Sequence, residues 1–318
     1  MKALTIPSNI RGIARPNMWE GIIIIDKPTG MSSNKVLQYL RRIANFQKMG
    51  YLGTLDPLAT GVLPIFIGWA TKIIPFIDQQ TKAYQAAMVL GQKTDTQDAT
   101  GQVVFTTSQG LPGSGEIQAV CNEFIGTQEQ VPPSFSAVKY KGKPLYHWAR
   151  QGIRIAKPPR QITIESFEVL KMDGERVTFE IRCSPGTYVR TVCHDIGERL
   201  GCGAYLQELR RTQSGWFTLA QAHTLEEVEQ AVTPEKVLSL KSSIDPVLEE
   251  FPQISADWHW RDIIRQGGIL SSDGGGHSWP EAEPGRPICI RGPQGDLWAM
   301  YHQVQGTQKV LKPLRVII

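Results

Sequence analysis

Hydrophobic and polar positions alternate with two different periods along the chain, and the changes between them mark out the elements. Gly21 to Asp26 is an isoleucine-rich run that predicts a short strand. Ser32 or Ser33 caps a predicted helix reaching about Asn45, with Val36, Leu40 and Ile43 recurring on one face. A loop is expected from there to Val62. From Ala83 to Leu90 the period is two, with Tyr84, Ala86, Met88 and Leu90 on one side, and Gly91 to Gly101 reads as a polar turn region. Ile117, Val120, Cys121 and Phe124 return to helical spacing and stop at Gly126. Pro132 to Arg160 carries proline at both ends and reads as an inserted excursion. Ile162 to Lys171 and Arg176 to Cys183 predict a hairpin turning at Asp173-Gly174, with Val177, Phe179, Ile181 and Cys183 facing inward. Tyr188 to Leu200 predicts a helix. Mixed elements without a regular βαβ rhythm point to an α+β sheet.

A second boundary falls near Glu249. Beyond it a brief helix (Trp258 to Arg265) is followed by Gly/Ser/Pro-rich turns and short strand-like runs, Pro287 to Arg291 and Leu297 to His302. The expected organisation is an extension over 1–19, a large domain over 20–248 holding the 132–160 insertion, and a small β-rich module over 249–318.

Composition narrows the class. The 318 residues are 41% hydrophobic and 20% charged, ordinary for a globular chain. No apolar run approaches the roughly 20 residues of a membrane span, and Pro7, Arg11 and Arg15 interrupt the start, so neither an anchor nor a secretory signal is expected. Five scattered cysteines without C-x-x-C spacing fit reduced thiols and a cytoplasmic setting.

Net charge is only +4, but its distribution is uneven. Lys139, Lys141, Lys143, Arg150, Arg154, Lys157 and Arg160 lie in the 132–160 insertion with no acid and with Phe135, Tyr140, Tyr146 and Trp148 among them. Lys27, Lys35, Arg41, Arg42 and Lys48 form a second acid-free stretch, which leaves the rest of the chain net negative. One such stretch is usually a solvated surface. Two, one of them interleaved with aromatics, favour an RNA partner whose unpaired bases stack and whose phosphates release counterions.

Several chemistries are absent from the sequence. It has no phosphate-cradling G-x-x-x-x-G-K-[ST], no dinucleotide G-x-G-x-x-G and no G-x-S-x-G. The six histidines stand alone, so no metal site is expected. Asp95 and Asp98 lack the alternating oxygen ligands of a calcium loop and read as turn residues.

Gly53-Thr54-Leu55-Asp56-Pro57-Leu58-Ala59-Thr60-Gly61-Val62-Leu63-Pro64 is different in kind. Proline drives the preceding carboxylate out of the helical region, and flanking glycines permit a tight, constrained loop. By itself Asp-Pro is most often a turn initiator. The whole segment, however, resembles the catalytic motif of the bacterial TruB family of tRNA pseudouridine synthases. So do Asp26 to Ser33, Lys82-Ala83-Tyr84, Gly91 to Asp98, Pro132 to Gly152, Gly186-Thr187-Tyr188-Val189-Arg190-Thr191 and Leu206 to Arg211, in the family's order. The resemblance fades after about Thr212, and the last module is similar only in position and style to a PUA-type RNA-binding domain. One departure stands out, because the family's Gly-His-x-Gly reads Gly50-Tyr51-Leu52-Gly53 here. A phenol can stack and donate a hydrogen bond but does not become cationic.

That resemblance implies a pseudouridine synthase fold, a large mixed and mainly antiparallel sheet flanked by helices. It implies isomerisation of the uridine at position 55 in the T loop of tRNA, with the T stem-loop as the recognised arm, no cofactor, and an accompanying tRNA-folding role; a monomer is expected. Asp56 would act covalently, at C1′ of ribose or by a route beginning with abstraction at C2′. No second carboxylate is needed, since uracil turns and rejoins through C5 without departing. Arg190 would pair with Asp56 and keep it ionised. Tyr84 would stack on the flipped base and take the C5 proton; its alternative role is a core aromatic. Leu209 would wall the pocket, Lys27 and Pro28 shape its rim, Tyr188 pack beside Arg190, and Tyr51 fill space. Lys139, Lys141, Lys143, Arg150 and Arg154 would grip RNA from the thumb. The rival readings are a non-catalytic RNA-binding protein, indifferent to Asp56, and another base-modifying enzyme; a zinc deaminase lacks its H-x-E and P-C-x-x-C ligands here.

Overall fold

The isoleucine run of the first strand is buried on both faces, and the architecture follows from that. The structure is a computed structural model describing residues 21–44, 48–136, 138–153, 155, 157–231, 239–271, 279, 282–283, 285–304 and 310–318. The expected 1–19 extension, Asn45 and Arg154 therefore lie outside the described residues. In β1 (Gly21–Lys27), Ile23 and Ile25 enter one core with Val36, Leu37 and Leu40. Ile22 and Ile24 enter a second with Phe66, Val247, Leu248, Cys289 and Met300. A strand covered on both sides reads as a continuous apolar run rather than an alternating one.

The other strands of at least five residues in the large sheet are β2 (Thr60–Ile67), β3 (Lys82–Leu90), β4 (Gly126–Gln130), β5 (Arg160–Asp173), β6 (Arg176–Cys183) and β7 (Ala204–Ser214). Their spatial order is β1-β2-β7-β3-β6-β5-β4, with Ala222–His223 beyond β1. Pairing is antiparallel except for β7 with β2 and β1 with the 222–223 strand, the mixed and mainly antiparallel sheet expected. Helices α1 (Ser33–Ala44), α2 (Ser114–Glu123) and α3 (Val189–Arg199) present buried faces to one side of it. Ser32, not Ser33, caps α1, its Oγ accepting from the Lys35 backbone N–H at 3.2 Å.

Two predicted loops contain strands. The 45–62 stretch holds Met49–Tyr51, paired with β2 at Tyr51↔Ile65, and β2 itself begins at Thr60. Within 91–101, Gln92–Thr94 pairs with Val103–Thr106. The 132–160 insertion leaves the sheet between β4 and β5 and carries a small hairpin (Lys139–Tyr140 with Lys143–Pro144) and the helix Leu145–Ala149.

The C-terminal residues form a five-stranded sheet in which Gln253–Ser255, β8 (Pro287–Arg291), β9 (Leu297–Val304), β10 (Val310–Val316) and Leu270–Ser271 follow in space. Trp260, Ile264, Trp298, Tyr301 and Leu311 build its own core. The opposite face, through Cys289, Leu297 and Met300, shares the second core with β1 and β2, and Lys72 Nζ donates to the Val316 carbonyl at 2.8 Å. Among the described residues no helix is long and apolar enough to cross a membrane.

Candidate active site

The loop after Tyr51 is held at nearly every residue. Ser33, 1% exposed, accepts from the Leu55 N–H at 2.9 Å and donates to the Leu55 carbonyl at 3.2 Å. The Pro57 carbonyl accepts from Gly30 N–H at 2.8 Å and from Lys27 Nζ at 3.4 Å, and Thr29 Oγ1 donates to the Leu58 carbonyl at 3.1 Å. From the other side Arg211 Nη2 donates to the Gly53 carbonyl at 3.0 Å, while its Nε reaches the Val62 carbonyl at 2.7 Å. Gly61 has φ +96°, and a Cβ there would overlap the Arg211 carbonyl where β2 meets β7, so only glycine permits that approach. Asp56 is thus carried on a turn fixed by its surroundings.

Asp56 faces α3. Arg190 Nη2 lies 3.1 Å from Asp56 Oδ2, its Nη1 lies 3.4 Å from Asp98 Oδ2, and its Nη2 donates to the Phe135 carbonyl at 2.7 Å. Asp98 is buried and holds its place by accepting from the Thr96 hydroxyl at 2.8 Å and the Thr100 N–H at 2.9 Å. One guanidinium therefore joins a half-buried carboxylate to a fully buried one and to the root of the insertion. Charge-assisted contacts from both ends of one guanidinium fix its orientation as well as its charge. The start of α3 is anchored too, since Gln130 Oε1 accepts from Tyr188 N–H at 2.8 Å and Gln130 Nε2 donates to the Tyr188 carbonyl at 3.0 Å.

Arg190 favours the charged form of Asp56, the direction expected, but it does not act alone. Arg190 and Lys27 do lower its pKa, but burial raises it by more and Asp98 adds to the rise, leaving the carboxyl above the ordinary aspartate value. Sequence shows the cation; it cannot show the desolvation.

Asp56, Tyr84, Tyr188, Arg190 and Leu209 line one cavity together with Lys82, Arg160 and Arg211. Tyr84 stands on β3 directly across from Arg211 on β7, and its phenol is pushed up to about 12 by burial, against the pull of Arg211. Lys27, Pro28 and Tyr51 are not among the lining residues. Lys27 is fully buried, with its ammonium on the carbonyls of Pro28, Met31 and Pro57, and burial lowers its pKa to about 8. Pro28 is exposed, and Tyr51 packs against the larger core. Lys139, Lys141, Lys143 and Arg150 are exposed on the insertion, where Lys141 sits 5.5 Å from the Tyr140 ring, Lys143 5.8 Å from Trp148 and Arg150 5.5 Å from Tyr146.

Three residues were not anticipated. Asp98 reads locally as a turn former, Arg211 ends the Leu206 to Arg211 stretch without a role of its own, and Gln130 falls between the helix stopping at Gly126 and the insertion. The one available signal was a cation, Arg211, in the middle of an otherwise strand-like run, where a charge needs a reason.

Known proteins share the sequence and the fold of this chain. A sequence model of the N-terminal domain of TruB family pseudouridylate synthases matches residues 41–189, and one of the tRNA pseudouridylate synthase B C-terminal domain matches residues 190–250. The chain is 46% identical over 235 residues to tRNA pseudouridine synthase B of Syntrophotalea carbinolica, covering 74% of this chain and 76% of that one. It is 40% identical over 257 residues to the same enzyme of Photobacterium profundum, covering 78% and 81%. Among solved structures, one of a Cbf5-Nop10-Gar1 complex superposes with a TM-score of 0.74 at 26% identity, over 96% of this chain and 88% of that one. The chain belongs to the TruB family of tRNA pseudouridine synthases, which are isomerases.

Proposed function

We propose that this chain converts one uridine in the T loop of tRNA, at position 55, to pseudouridine, with Asp56 as the covalent catalyst. The observation that carries the reading is Asp56 paired with Arg190 in a cavity that also holds Tyr84. The cavity is about 210 Å³, far too narrow for a duplex, so a reacting base must first leave its stack at a cost of a few kcal/mol. Asp56 in its carboxylate form acts on the ribose, by attack at C1′ or through abstraction at C2′. Arg190 aims it, and Asp98 holds Arg190. Tyr84 packs against the everted uracil and relays the C5 proton once the ring has rejoined through C5: burial keeps its phenol neutral, so its oxygen takes that proton as its own hydrogen passes on to water. Leu209 supplies an apolar wall. The bonds from Lys27, Ser33 and Arg211 keep the loop from wandering, which matters because catalytic geometry lost by an ångström costs about a hundredfold.

RNA is held by the exposed bases and aromatics of the 132–160 thumb and by the C-terminal module, read as PUA-like over 249–318. The enzyme works as a monomer in the cytoplasm, and its grip on the arm also assists tRNA folding. The T stem-loop alone suffices for recognition. Incubating an unmodified tRNA transcript with the protein and mapping pseudouridine along its length tests this. Product at the single T-loop uridine, and equally on the isolated arm, is expected; product elsewhere, or only on whole tRNA, refutes the assignment.

A further inference from the structure

Four cations line the reaction cavity and a fifth, Lys27, supports the loop that carries Asp56; all but one have oxygen partners. Arg190 is held by two carboxylates and a carbonyl, and Arg211 and Lys27 by backbone carbonyls. Lys82 sits 3.4 Å from Asp78 Oδ1. Arg160, the first residue of β5, is the exception among the described residues. Its guanidinium lies 4.8 Å from the centre of the Tyr188 ring, and its buried Nε and Nη2 have no hydrogen-bond partner. A partly buried cation without a counterion is costly to keep, and stacking on a phenol ring offsets only part of that cost. The same ring carries Arg190 on it at 5.5 Å, so Arg160 stands one side chain away from the partner of Asp56. Gly186, which also lines the cavity, has φ +79°, and a Cβ there would come within 3.3 Å of the Arg160 guanidinium. The backbone thus leaves the guanidinium room at the cavity wall.

We infer that Arg160 is a phosphate receptor of the cavity, taking a phosphodiester that flanks the everted uridine. The inference rests on the reading of the cavity as a site for a flipped nucleotide. A guanidinium is suited to this because its fork matches two phosphate oxygens and it stays charged at any working pH. An incoming phosphate supplies the counterion that the protein lacks at this point, and it anchors the sugar between its own backbone and Asp56.

The test is a double-mutant cycle on binding. Stem-loop RNAs carrying one neutral methylphosphonate, on the 5′ or the 3′ side of the target uridine, are titrated against wild type, Arg160→Ala and Arg160→Lys. Wild type is expected to lose about ten- to a hundredfold in affinity on one of the two neutral RNAs. Arg160→Ala should bind native RNA about that weakly, show no further loss on the same neutral RNA, and have a salt slope smaller by about one. Arg160→Lys keeps a charge and should still respond to the neutral linkage. Equal losses on native and neutral RNA, with an unchanged salt slope, would make Arg160 a mere brace for Tyr188 and overturn the inference. Turnover by wild type on the native stem-loop is read alongside: its absence overturns the proposed reaction, whereas the cycle reads binding alone, so the two failures are separable.

Discussion

Lys27→Met removes a fully buried cation while keeping most of its volume, and the surroundings give each consequence a sign. The ammonium has a pKa of about 8 in the folded chain against 10.5 for an ordinary lysine. That difference makes the charge cost about 3 kcal/mol of stability at neutral pH, which methionine relieves. Methionine also strips a donor from the Pro28 and Met31 carbonyls, at about 1–3 kcal/mol each if they find no water. Pro57 keeps its bond from Gly30. The opposing terms nearly cancel, so unfolding free energy near pH 7 should change by less than about 3 kcal/mol. The pH dependence is the sharper test. Between about 8 and 10.5 the unfolded wild type binds the extra proton, so its stability rises with pH, by about 3 kcal/mol in total, and falls again on acidification through 8. The variant lacks that gain, and the difference in favour of wild type should widen across this window in urea titrations. Activity should respond separately. Lys27 is one of the charges holding the Asp56 pKa down, so without it the acid limb of the single-turnover rate should move to higher pH. An unmoved acid limb together with a flat stability difference from pH 8 to 10.5 would refute the assignment of Lys27 to the catalytic loop.

Asp98→Asn should lower the single-turnover rate by about a hundredfold with little change in RNA affinity, because Arg190 loses the buried carboxylate that orients it; an unchanged rate would mean that Asp56 alone fixes the guanidinium. Stability of that variant should fall by about 2–4 kcal/mol in a melting experiment, toward the lower end of what breaking a buried pair costs, since Arg190 keeps Asp56 and the Phe135 carbonyl. Replacing Lys139, Lys141, Lys143 and Arg150 together by glutamine should weaken RNA binding at low salt and reduce the salt slope by about two to four, with kcat nearly unchanged. A fall in kcat at saturating RNA would move those residues from grip to chemistry.

How much of this was legible depended on how local the cause was. The β5-β6 hairpin and the buried side of β3 follow from alternation within a few residues, and both form, with the turn at Gly174-Glu175, one residue past the expected Asp173-Gly174. β4, with the sequence GTQEQ, is an edge strand without an apolar pattern, and its partner begins 30 residues later across the thumb; nothing local announces it. The start of β2 was hidden for a different reason, since Gly61 reads as a loop residue, whereas it is demanded by the crossing with Arg211. At the site, Asp56 and Arg190 were found through their motifs. Asp98 was not, because its partner lies 92 residues away, and Arg211 was not, because its partners are carbonyls about 150 residues earlier that only the fold brings near. The direction of the Asp56 pKa needed the structure as well, since burial decides it.

The most direct measurement uses tRNA transcript carrying tritium at C5 of its uridines, because forming the new glycosidic bond at C5 releases that hydrogen to water. Wild type, Asp56→Asn and Asp56→Ala are compared in single turnover, with RNA affinity measured in parallel. The account predicts tritium release by wild type, a loss of at least about a thousandfold in both variants, and affinities within a few-fold of wild type. Release by Asp56→Asn within tenfold of wild type, at equal binding, would contradict the claim that this carboxylate does the chemistry.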